Sequence, residues 1–211
     1  MPKPVLFDYW RSSASYRVRI ALHLKAVAYD RVATDLVAGG QKAPDYVARN
    51  PQGFVPMLSI DGADLTQSLA IIDFLDATHP EPRLIPADPL ARAGVVAKSM
   101  IIIADIHPVN NLRMLRYLKD VMGQTQDAID TWYRHWIAEG FAALEQQAPD
   151  AGLFGGDSPD LVDVCLVPQA ANARRFDLDM AAYPKLARID AELQAIPAFA
   201  AAHPDKFKPA G

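Results

Sequence analysis

The N-terminal fold of this chain is decided by the stretch Trp10-Arg-Ser-Ser-Ala-Ser-Tyr-Arg-Val-Arg-Ile-Ala-Leu-His-Leu24. It follows the apolar run Val5-Leu6-Phe7, which is typical of a short strand. Three of its apolar residues recur at the spacing of one helix face: Val18, Ala21 and Leu22. Ser12 and Ser13 stand where strand gives way to helix, and hydroxyls there cap unpaired backbone N–H groups. The same helix end attracts anions, so the pattern is compatible with a plain serine cap or with a site for a thiolate or carboxylate.

Composition narrows the class of protein. The 211 residues suggest one large domain or two small ones, and the net charge of −4 argues against a general nucleic-acid binder. The single cysteine, Cys165, excludes an intrachain disulfide and a cysteine-rich zinc cluster, and it fits a reducing compartment. The N-terminal residues lack the apolar region of a signal peptide, and no apolar run is long enough to span a membrane. We therefore expect a cytoplasmic protein with no membrane, nucleic-acid or metal partner.

The first 83 residues predict a small mixed sheet with helices. A proline leads the third strand at Val55-Pro56, where a cis bond would turn the Val55 backbone outward, and Asp61-Gly62 is a strong hairpin signal. The predicted elements follow the order strand, helix, strand, then strand, strand, helix: 4–8, 13–25, 29–33, a strand ending at 60, 63–65 and 67–78. This order predicts an α/β domain over residues 1–83.

The remainder of the chain predicts an all-helical domain over residues 90–211. A proline-rich linker at 81–89 precedes it, and Pro108 should kink its first long helix. Asp160-Leu-Val-Asp163 has the spacing of a capping box at the start of a buried helix. The predicted helices span 92–118, 126–148, 160–173, 183–195 and a short stretch from 197, followed by a frayed tail from His203.

Several motifs together resemble the zeta class of glutathione transferases, the maleylacetoacetate isomerase family. They cover nearly the whole chain: Ser12-Ser13-Ala14 with Arg17, Asn50-Pro, Val55-Pro56, Asp61-Gly62, Gln67-Ser-Leu-Ala-Ile-Ile72, Leu166-Val-Pro-Gln-Ala-Ala-Asn-Ala173 with Arg175-Phe176, and Asp179-Met-Ala-Ala-Tyr-Pro184. The resemblance implies the glutathione transferase architecture, a thioredoxin-like α/β N-terminal domain followed by an all-α C-terminal domain. It also implies glutathione as cofactor and a homodimer.

The resemblance implies a glutathione site in the first domain. Ser12 matches the family's catalytic serine, and Ser13 lies beside it. Val55 matches the residue whose backbone pairs with the cysteinyl part of glutathione, and Gln67 with Ser68 matches the pair that holds the γ-glutamyl carboxylate. The predicted helix start at Ser68 supports this independently, because a helix N-terminus favours a carboxylate.

Three further positions and one departure complete the resemblance. Gln41 falls in the loop that reaches the glycyl end of glutathione, and His107 with Asn111 matches positions that contact glutathione or substrate. By itself, however, His107 is as well explained by a surface or buried hydrogen-bonded histidine. Ala14 stands where the family has a cysteine, so a thiol at that position is not required for any activity of this chain.

The implied reaction is the glutathione-dependent cis–trans isomerisation of maleylacetoacetate to fumarylacetoacetate in tyrosine and phenylalanine breakdown. Its keto-acid substrate carries carboxylates, which the planar guanidinium group binds through two N–H groups at once. Three arginines are candidates for catalytic roles: Arg11, Arg113 and Arg175. Arg113 and Arg175 are equally compatible with solvated surface charges, whereas Arg17 and Arg19 suggest roles in the fold, the helix surface or a dimer contact.

Three alternatives remain open from the sequence. The segment around His107 also resembles glutathione-dependent maleylpyruvate isomerases of aromatic-acid breakdown. Ala14 leaves room for a general glutathione transferase or a haloacid-converting enzyme. A non-catalytic binding protein on the same fold is the third alternative, because a fold alone does not guarantee chemistry.

Overall fold

The computed structural model describes residues 2–209, so Met1, Ala210 and Gly211, at the outer ends of the two predicted domains, lie outside the described residues. Its sheet has the strand order β2-β1-β3-β4, in which β1 pairs parallel with β2 and antiparallel with β3, and β3 pairs antiparallel with β4. The strands are β1 Val5–Asp8, β2 Asp30–Ala33, β3 Met57–Ile60 and β4 Ala63–Thr66. The mixed sheet predicted from the sequence is confirmed.

Three helices accompany this sheet: α1 Ser13–Leu24, α2 Pro44–Arg49 and α3 Ser68–Thr78. The residue that follows α1, Lys25, is buried and pairs with Asp76 of α3 at 2.6 Å. Its ammonium group also donates to the carbonyl of Pro82. One buried cation therefore ties the end of α1 to α3 and to the chain that leaves it.

The C-terminal segment belongs to the first compact unit. That unit runs to Arg83 and resumes at Ile196, so it includes the last helix, while the second unit spans Leu84–Ala195. The sequence had assigned everything from residue 90 onward to the helical domain and described the tail from His203 as frayed. Instead, the buried Arg19 donates to the carbonyl of Ala202 at 3.1 Å, and its guanidinium lies 4.6 Å from the Phe207 ring centroid.

The second unit is built from helices, as predicted. They are α4 Pro89–Met100, α5 Leu112–Arg116, α6 Gln126–Gln147, α7 Leu161–Arg175 and α8 Pro184–Gln194, while α9 Pro197–Ala202 belongs to the first unit. The predicted capping box opens α7: the Asp160 carboxylate accepts from the Asp163 amide, and Asp163 accepts from the Asp160 amide at 3.0 Å. Within residues 2–209, no helix combines the length and apolar character needed to cross a membrane.

The predicted long helix over residues 92–118 is wrong. The α-helix ends at Met100 and gives way to a π-helical turn over Ile101–Ile106 before the chain reaches Pro108. A second π-helical segment, Tyr117–Val121, follows α5. Wider turns of this kind interrupt α-helices, and Pro108 lacks the N–H group that a continuous helix requires.

Close contact with α6 explains why the interruption persists. A Cβ atom at Gly140 would lie 2.4 Å from Cδ1 of Ile106, so only glycine admits this approach. The buried Asn110 donates to the carbonyl of Tyr133 at 3.0 Å, and Trp132 donates from its ring to the carbonyl of Val109 at 2.9 Å. These contacts fix the turn on α6, and they join residues more than twenty positions apart in the chain.

Candidate active site

Strand register brings the predicted site residues of the first unit to one end of the sheet. Phe7 of β1 pairs with Met57 of β3, and Met57 in turn pairs with Thr66 of β4. Because these pairs are antiparallel, the chain leaving β1, the chain entering β3 and the chain leaving β4 meet at the same sheet end. The three connections carry Ser12, Val55 and the Gln67-Ser68 pair, respectively.

Ser12 is the N-cap of α1. Its hydroxyl oxygen accepts from the Ser15 amide at 3.2 Å, while its own amide donates to the Tyr9 carbonyl at 2.9 Å. Ser13 is buried in the first turn, and that turn contains no acidic residue. The half-buried hydroxyl of Ser12 thus lies at the positive end of a helix dipole, where it can stabilise an anion.

The buried guanidinium of Arg19 fixes the loop before Ser12. Arg19 donates to the carbonyl of Trp10 at 3.1 Å and pairs with Asp8 at 2.5 Å, and the side chains of both charged partners are fully buried. Arg11 is exposed on the same loop, with its guanidinium carbon 5.5 Å from the Trp10 ring centroid. Arg19 therefore serves the fold, whereas the charge of Arg11 faces solvent next to Ser12.

Val55 and Gln67 have unusual backbones. The Val55-Pro56 bond is cis, and within the described residues the Val55 amide and carbonyl take part in no backbone hydrogen bond outside the regular elements. Gln67 caps α3 with φ of +67°, a conformation that costs a non-glycine residue about 1–3 kcal/mol and is concentrated at functional sites. Ser68, the first residue of α3, is buried at the N-terminus of that helix.

Gln41 lies beside the same loops. The side-chain amide (Nε2) of Gln67 donates to the side-chain oxygen of Gln52 at 2.7 Å. A Cβ at the neighbouring Gly53 would come within 2.8 Å of the backbone carbonyl oxygen of Gln41. The side-chain oxygen of Gln41 is buried and has no hydrogen-bond partner among the described residues. Lys42 adds an exposed ammonium here and donates to the Gln52 carbonyl at 3.2 Å. The cluster therefore offers an unsatisfied acceptor next to a cation.

Two groups of candidate residues in the second unit are connected to Tyr133 of α6, one through its carbonyl and one through its hydroxyl. On one side, Asn110 donates to the Tyr133 carbonyl and so anchors the turn that contains His107. The side chain of Asn111 caps α5 by accepting from the amide of Arg113 at 3.1 Å. On the other side, Arg175 at the end of α7 donates to the Tyr133 hydroxyl at 3.3 Å.

Two adjacent arginines at the end of α7 differ in their partners. Arg174 forms an ion pair with Asp190, whose side chain is fully buried. Burial raises the pKa of Asp190, and the guanidinium of Arg174 opposes that rise. Arg175 is exposed and lies over the Phe176 ring at 5.3 Å, without an ion pair to any described carboxylate. Arg174 is thus committed to the fold, and Arg175 remains the candidate for binding an external anion.

Comparison with known protein families shows which family this chain belongs to. The model of the glutathione S-transferase N-terminal domain matches residues 3–77, and that of the C-terminal domain matches residues 126–192. The chain belongs to the glutathione transferase family. The architecture expected from the sequence is therefore confirmed.

Relatives of this glutathione transferase carry isomerase names. It is 50% identical over 208 residues to a maleylacetoacetate isomerase of Rhizobium meliloti (strain 1021), covering 97% of this chain and 98% of the relative. A holo structure of maleylpyruvate isomerase, described as a bacterial glutathione S-transferase of the zeta class, superposes with a TM-score of 0.91 at 41% identity, covering 95% and 96% of the two chains. A maleylacetoacetate isomerase of Methylobacterium extorquens AM1 with bound malonate and glutathione gives 0.89 at 38% identity, covering 98% and 100%.

Some polar residues of this glutathione transferase were missed by sequence reasoning. Gln52 and Lys42 are exposed loop residues, and nothing in their local pattern separates them from ordinary surface residues. Tyr133 lies on an apolar helix face whose spacing predicts core packing, yet its hydroxyl contacts Arg175. Among residues 2–209, no group of histidine, cysteine, aspartate or glutamate side chains could hold a metal ion.

Proposed function

We propose that this chain isomerises maleylacetoacetate to fumarylacetoacetate with glutathione as its cofactor, in tyrosine and phenylalanine breakdown. The observation that carries the proposal is the convergence of Ser12, Val55, Gln67 and Ser68 at one end of the sheet. The 50% identity to a named maleylacetoacetate isomerase over nearly the full length of both chains supports it.

The residues present fit glutathione. The buried N-terminus of α3 at Ser68 suits the γ-glutamyl carboxylate, and the strained Gln67 backbone directs the chain there. The Val55 backbone, which precedes the cis bond to Pro56 and takes part in no backbone hydrogen bond outside the regular elements of the described residues, suits an amide of the tripeptide that pairs with it as a strand would. The buried, unsatisfied oxygen of Gln41 and the ammonium of Lys42 suit the amide and carboxylate at the glycyl end.

Bound glutathione would supply a thiolate for reversible addition, which would convert the cis double bond to a single bond that can rotate before elimination returns the thiolate. Ser12 is placed to donate its hydroxyl hydrogen to an anion at this helix end, and the positive end of α1 would lower the free energy of a thiolate there. Ser13 reinforces the same helix end. Arg11 of the first unit and, in the second unit, Arg113 and Arg175 are each candidates for binding a substrate carboxylate or for stabilising the negative charge that develops on the substrate oxygen.

His107 and Asn111 are assigned supporting roles at the substrate end. The capping of α5 by Asn111 fixes the direction of the Arg113 backbone, so this asparagine positions an arginine. His107, half-buried in the preceding turn, provides a ring nitrogen near the same segment. Ala14 occupies the position of the family's cysteine, and in this proposal the serine hydroxyls and the helix end suffice to activate the thiol.

Maleylpyruvate is the second candidate substrate. The structural neighbour with the TM-score of 0.91 is named a maleylpyruvate isomerase, and the two substrates carry similar carboxylate and keto groups for the candidate arginines to bind. The same residues and the same chemistry serve both substrates. A general glutathione transferase and a non-catalytic binding protein are weaker alternatives, because they leave the candidate carboxylate-binding arginines without a role. A haloacid-converting enzyme would use an arginine for its substrate carboxylate, but the relatives at 42–50% identity are named maleylacetoacetate isomerases.

We further propose that the protein works as a homodimer in the cytoplasm. Family resemblance supports the dimer, and the single cysteine, which is buried in α7 and forms no disulfide, is compatible with a reducing compartment. Light scattering of the purified chain tests the oligomeric state. A monomer at assay concentration would overturn the dimer proposal.

The deciding experiment follows the ultraviolet absorbance of maleylacetoacetate and, separately, of maleylpyruvate, with and without glutathione. Faster glutathione-dependent conversion of maleylacetoacetate supports the proposal. Faster conversion of maleylpyruvate reassigns the substrate and keeps the site. If neither substrate is converted while calorimetry still detects glutathione binding, a transferase or dehalogenase role replaces the isomerase role.

A further inference from the structure

A cavity of about 490 Å³ lies in the first unit, at the C-terminal end of α1. Its walls come from the end of α1, the loop into β2 and the C-terminal segment. Along the axis of α1, the cavity-lining His23 is about 16 Å from the Ser12 cap at about 1.5 Å per residue. The volume falls within the range of small-molecule sites.

Most of the cavity surface is apolar or aromatic. Val27, Ala28 and Ala201 supply aliphatic surface, and Tyr29 and Phe207 supply aromatic rings. The ring of His23 packs edge-on against Tyr29 with their centroids 5.9 Å apart. Burial, together with the charge of Arg19, lowers the pKa of His23, so its ring is neutral near pH 7 and acts as part of the aromatic wall. These walls favour a ligand with a flat apolar body.

One polar end of the cavity carries excess positive charge. Arg31 lines the cavity and donates through Nε to Asp8 at 2.5 Å, and the same carboxylate also pairs with Arg19. Two guanidinium groups therefore share one buried carboxylate, which leaves one positive charge uncompensated. The Asp8 and Arg19 side chains are fully buried, whereas 22% of the Arg31 side chain is exposed, so the excess charge reaches the cavity at Arg31.

Neighbouring groups do not cancel this charge. Asp30, next to Arg31 in the chain, pairs with Lys3 at 2.5 Å, and Asp205 of the C-terminal segment is 74% exposed and forms no ion pair with Arg31 among the described residues. Burial raises the pKa of Tyr29 to about 12, so its hydroxyl is neutral and can donate a hydrogen bond. The Nε2 atom of His23 is buried, so it offers no polar group to the cavity and the histidine contributes only ring surface.

From this geometry we propose that the cavity binds a small aromatic carboxylate, with its carboxylate on Arg31 and its rings between Tyr29 and Phe207. The site is separate from the proposed active site, and the proposal does not depend on the isomerase activity. A planar aromatic acid satisfies both features of the cavity, because its rings cover apolar surface and its charge meets the excess guanidinium.

Calorimetric titration of the full chain with 2-naphthoate, in saturating glutathione, tests the proposal. The matched neutral probe is 2-naphthamide, which has the same ring system and no charge. We expect 2-naphthoate to bind about tenfold more tightly than 2-naphthamide, since only the acid forms a charge-assisted bond with Arg31. Equal affinity for the two probes, or no binding of 2-naphthoate, would overturn the proposal.

Two variants place the binding in the cavity. Arg31→Gln should weaken 2-naphthoate about tenfold and leave 2-naphthamide unchanged, whereas Ala28→Phe should weaken both by filling the apolar wall. Arg83→Gln removes a partly exposed charge of the first unit outside the cavity lining and should change neither affinity. Circular dichroism melting confirms that each variant is folded. Unchanged 2-naphthoate binding in Ala28→Phe would place the probe elsewhere and refute this site.

Discussion

The two groups of candidate residues differ in how the fold holds them. In the first unit, Ser12, Val55 and Ser68 act through helix ends and backbone groups at one end of a sheet. In the second unit, Arg113 and Arg175 are exposed side chains, and π-helical segments lie on both sides of the helix that carries Arg113. In the proposed assignment, the glutathione-binding groups are therefore part of the backbone and helix ends, whereas the substrate-binding groups are long side chains that substitution can change without disturbing the fold.

Arg19→Met in the first unit is expected to have the largest effect on stability. The variant leaves Asp8 buried with only the partly exposed Arg31 as partner and removes the bonds to Trp10 and Ala202. We expect the free energy of unfolding to fall by about 3–5 kcal/mol, because the loss of one partner from a buried ion pair is strongly destabilising. Urea unfolding followed by circular dichroism measures the change.

Arg174→Met is the matched control in the second unit. Its guanidinium also pairs with a buried carboxylate, Asp190, but the Arg174 side chain is 45% exposed, and Gln194 also donates to that carboxylate. A clearly smaller loss is expected. If both variants lost equal stability, the claim that the first unit is the more tightly fixed region would be wrong.

Ser12→Ala tests the helix cap as a chemical group. Loss of the hydroxyl should reduce kcat/KM with glutathione by about a hundredfold, as is typical when a donor to a developing anion is removed. The accompanying loss of the cap should cost only about 1 kcal/mol of stability. The pH dependence of the thiolate absorbance should show a higher pKa for bound glutathione.

Thr125→Ala separates the two effects of the serine. Thr125 caps α6 through the same contact, with its hydroxyl accepting from the Ala128 amide at 3.2 Å. Its replacement should cost similar stability and leave kcat/KM unchanged. A comparable loss of activity in both variants would mean that Ser12 contributes only to the fold.

Much of the first unit could be predicted from sequence because its signals are local. The Ser12 cap, the strand entered through Val55-Pro56 and the helix start at Ser68 all rest on neighbours within a few positions. The role of Arg19 could not be resolved in the same way. Its partners are Asp8, eleven positions away, and Ala202, near the opposite end of the chain. Such contacts cannot be predicted from the spacing of residues along the chain.

The interruption between α4 and α5 shows a second limit. The apolar spacing over residues 92–118 continues through the break, so periodicity predicts one helix. The break depends instead on Gly140, whose missing side chain admits Ile106, and on bonds from Asn110 and Trp132 to backbone carbonyls. The site residues themselves remain predictions, because their assignment rests on resemblance and on the geometry of each unit separately.

A buried cap in the second unit offers a pH-dependent comparison with the Ser12 cap. Burial, followed by the charge of Asp163, raises the pKa of Asp160 to about 7. The folded state therefore holds a proton that the unfolded state releases near pH 4, so stability is greatest below that pH and falls as the pH rises to about 7. Asp160→Asn keeps an acceptor oxygen without the charge, and it should reduce this fall by an amount on the order of 2 kcal/mol.

Urea unfolding at pH 4 and pH 7 measures the difference. Asp179→Asn is the control, because Asp179 also caps a turn, with its carboxylate accepting from the Ala181 amide at 2.9 Å, but is exposed. It should leave the pH dependence as in the parent chain. An unchanged slope in Asp160→Asn would show that another buried acid, with Asp190 the leading candidate, dominates the pH dependence.

The smallest expected effect is that of replacing Arg175 in the second unit, and it bears most directly on substrate choice. Arg175→Gln should raise the KM for the dicarboxylate substrate about tenfold and leave the KM for glutathione and the stability nearly unchanged, since this arginine is exposed and bonds only weakly to Tyr133. Arg174→Gln should leave the KM for both the dicarboxylate and glutathione unchanged and lower the stability, because its partner is the buried Asp190. Steady-state kinetics on maleylacetoacetate and maleylpyruvate measure both variants. If Arg175→Gln raised the KM for glutathione as much as the KM for the dicarboxylate, the assignment of glutathione binding to the first unit and substrate binding to Arg175 would be wrong. A change confined to maleylacetoacetate or to maleylpyruvate would identify Arg175 as a specificity residue.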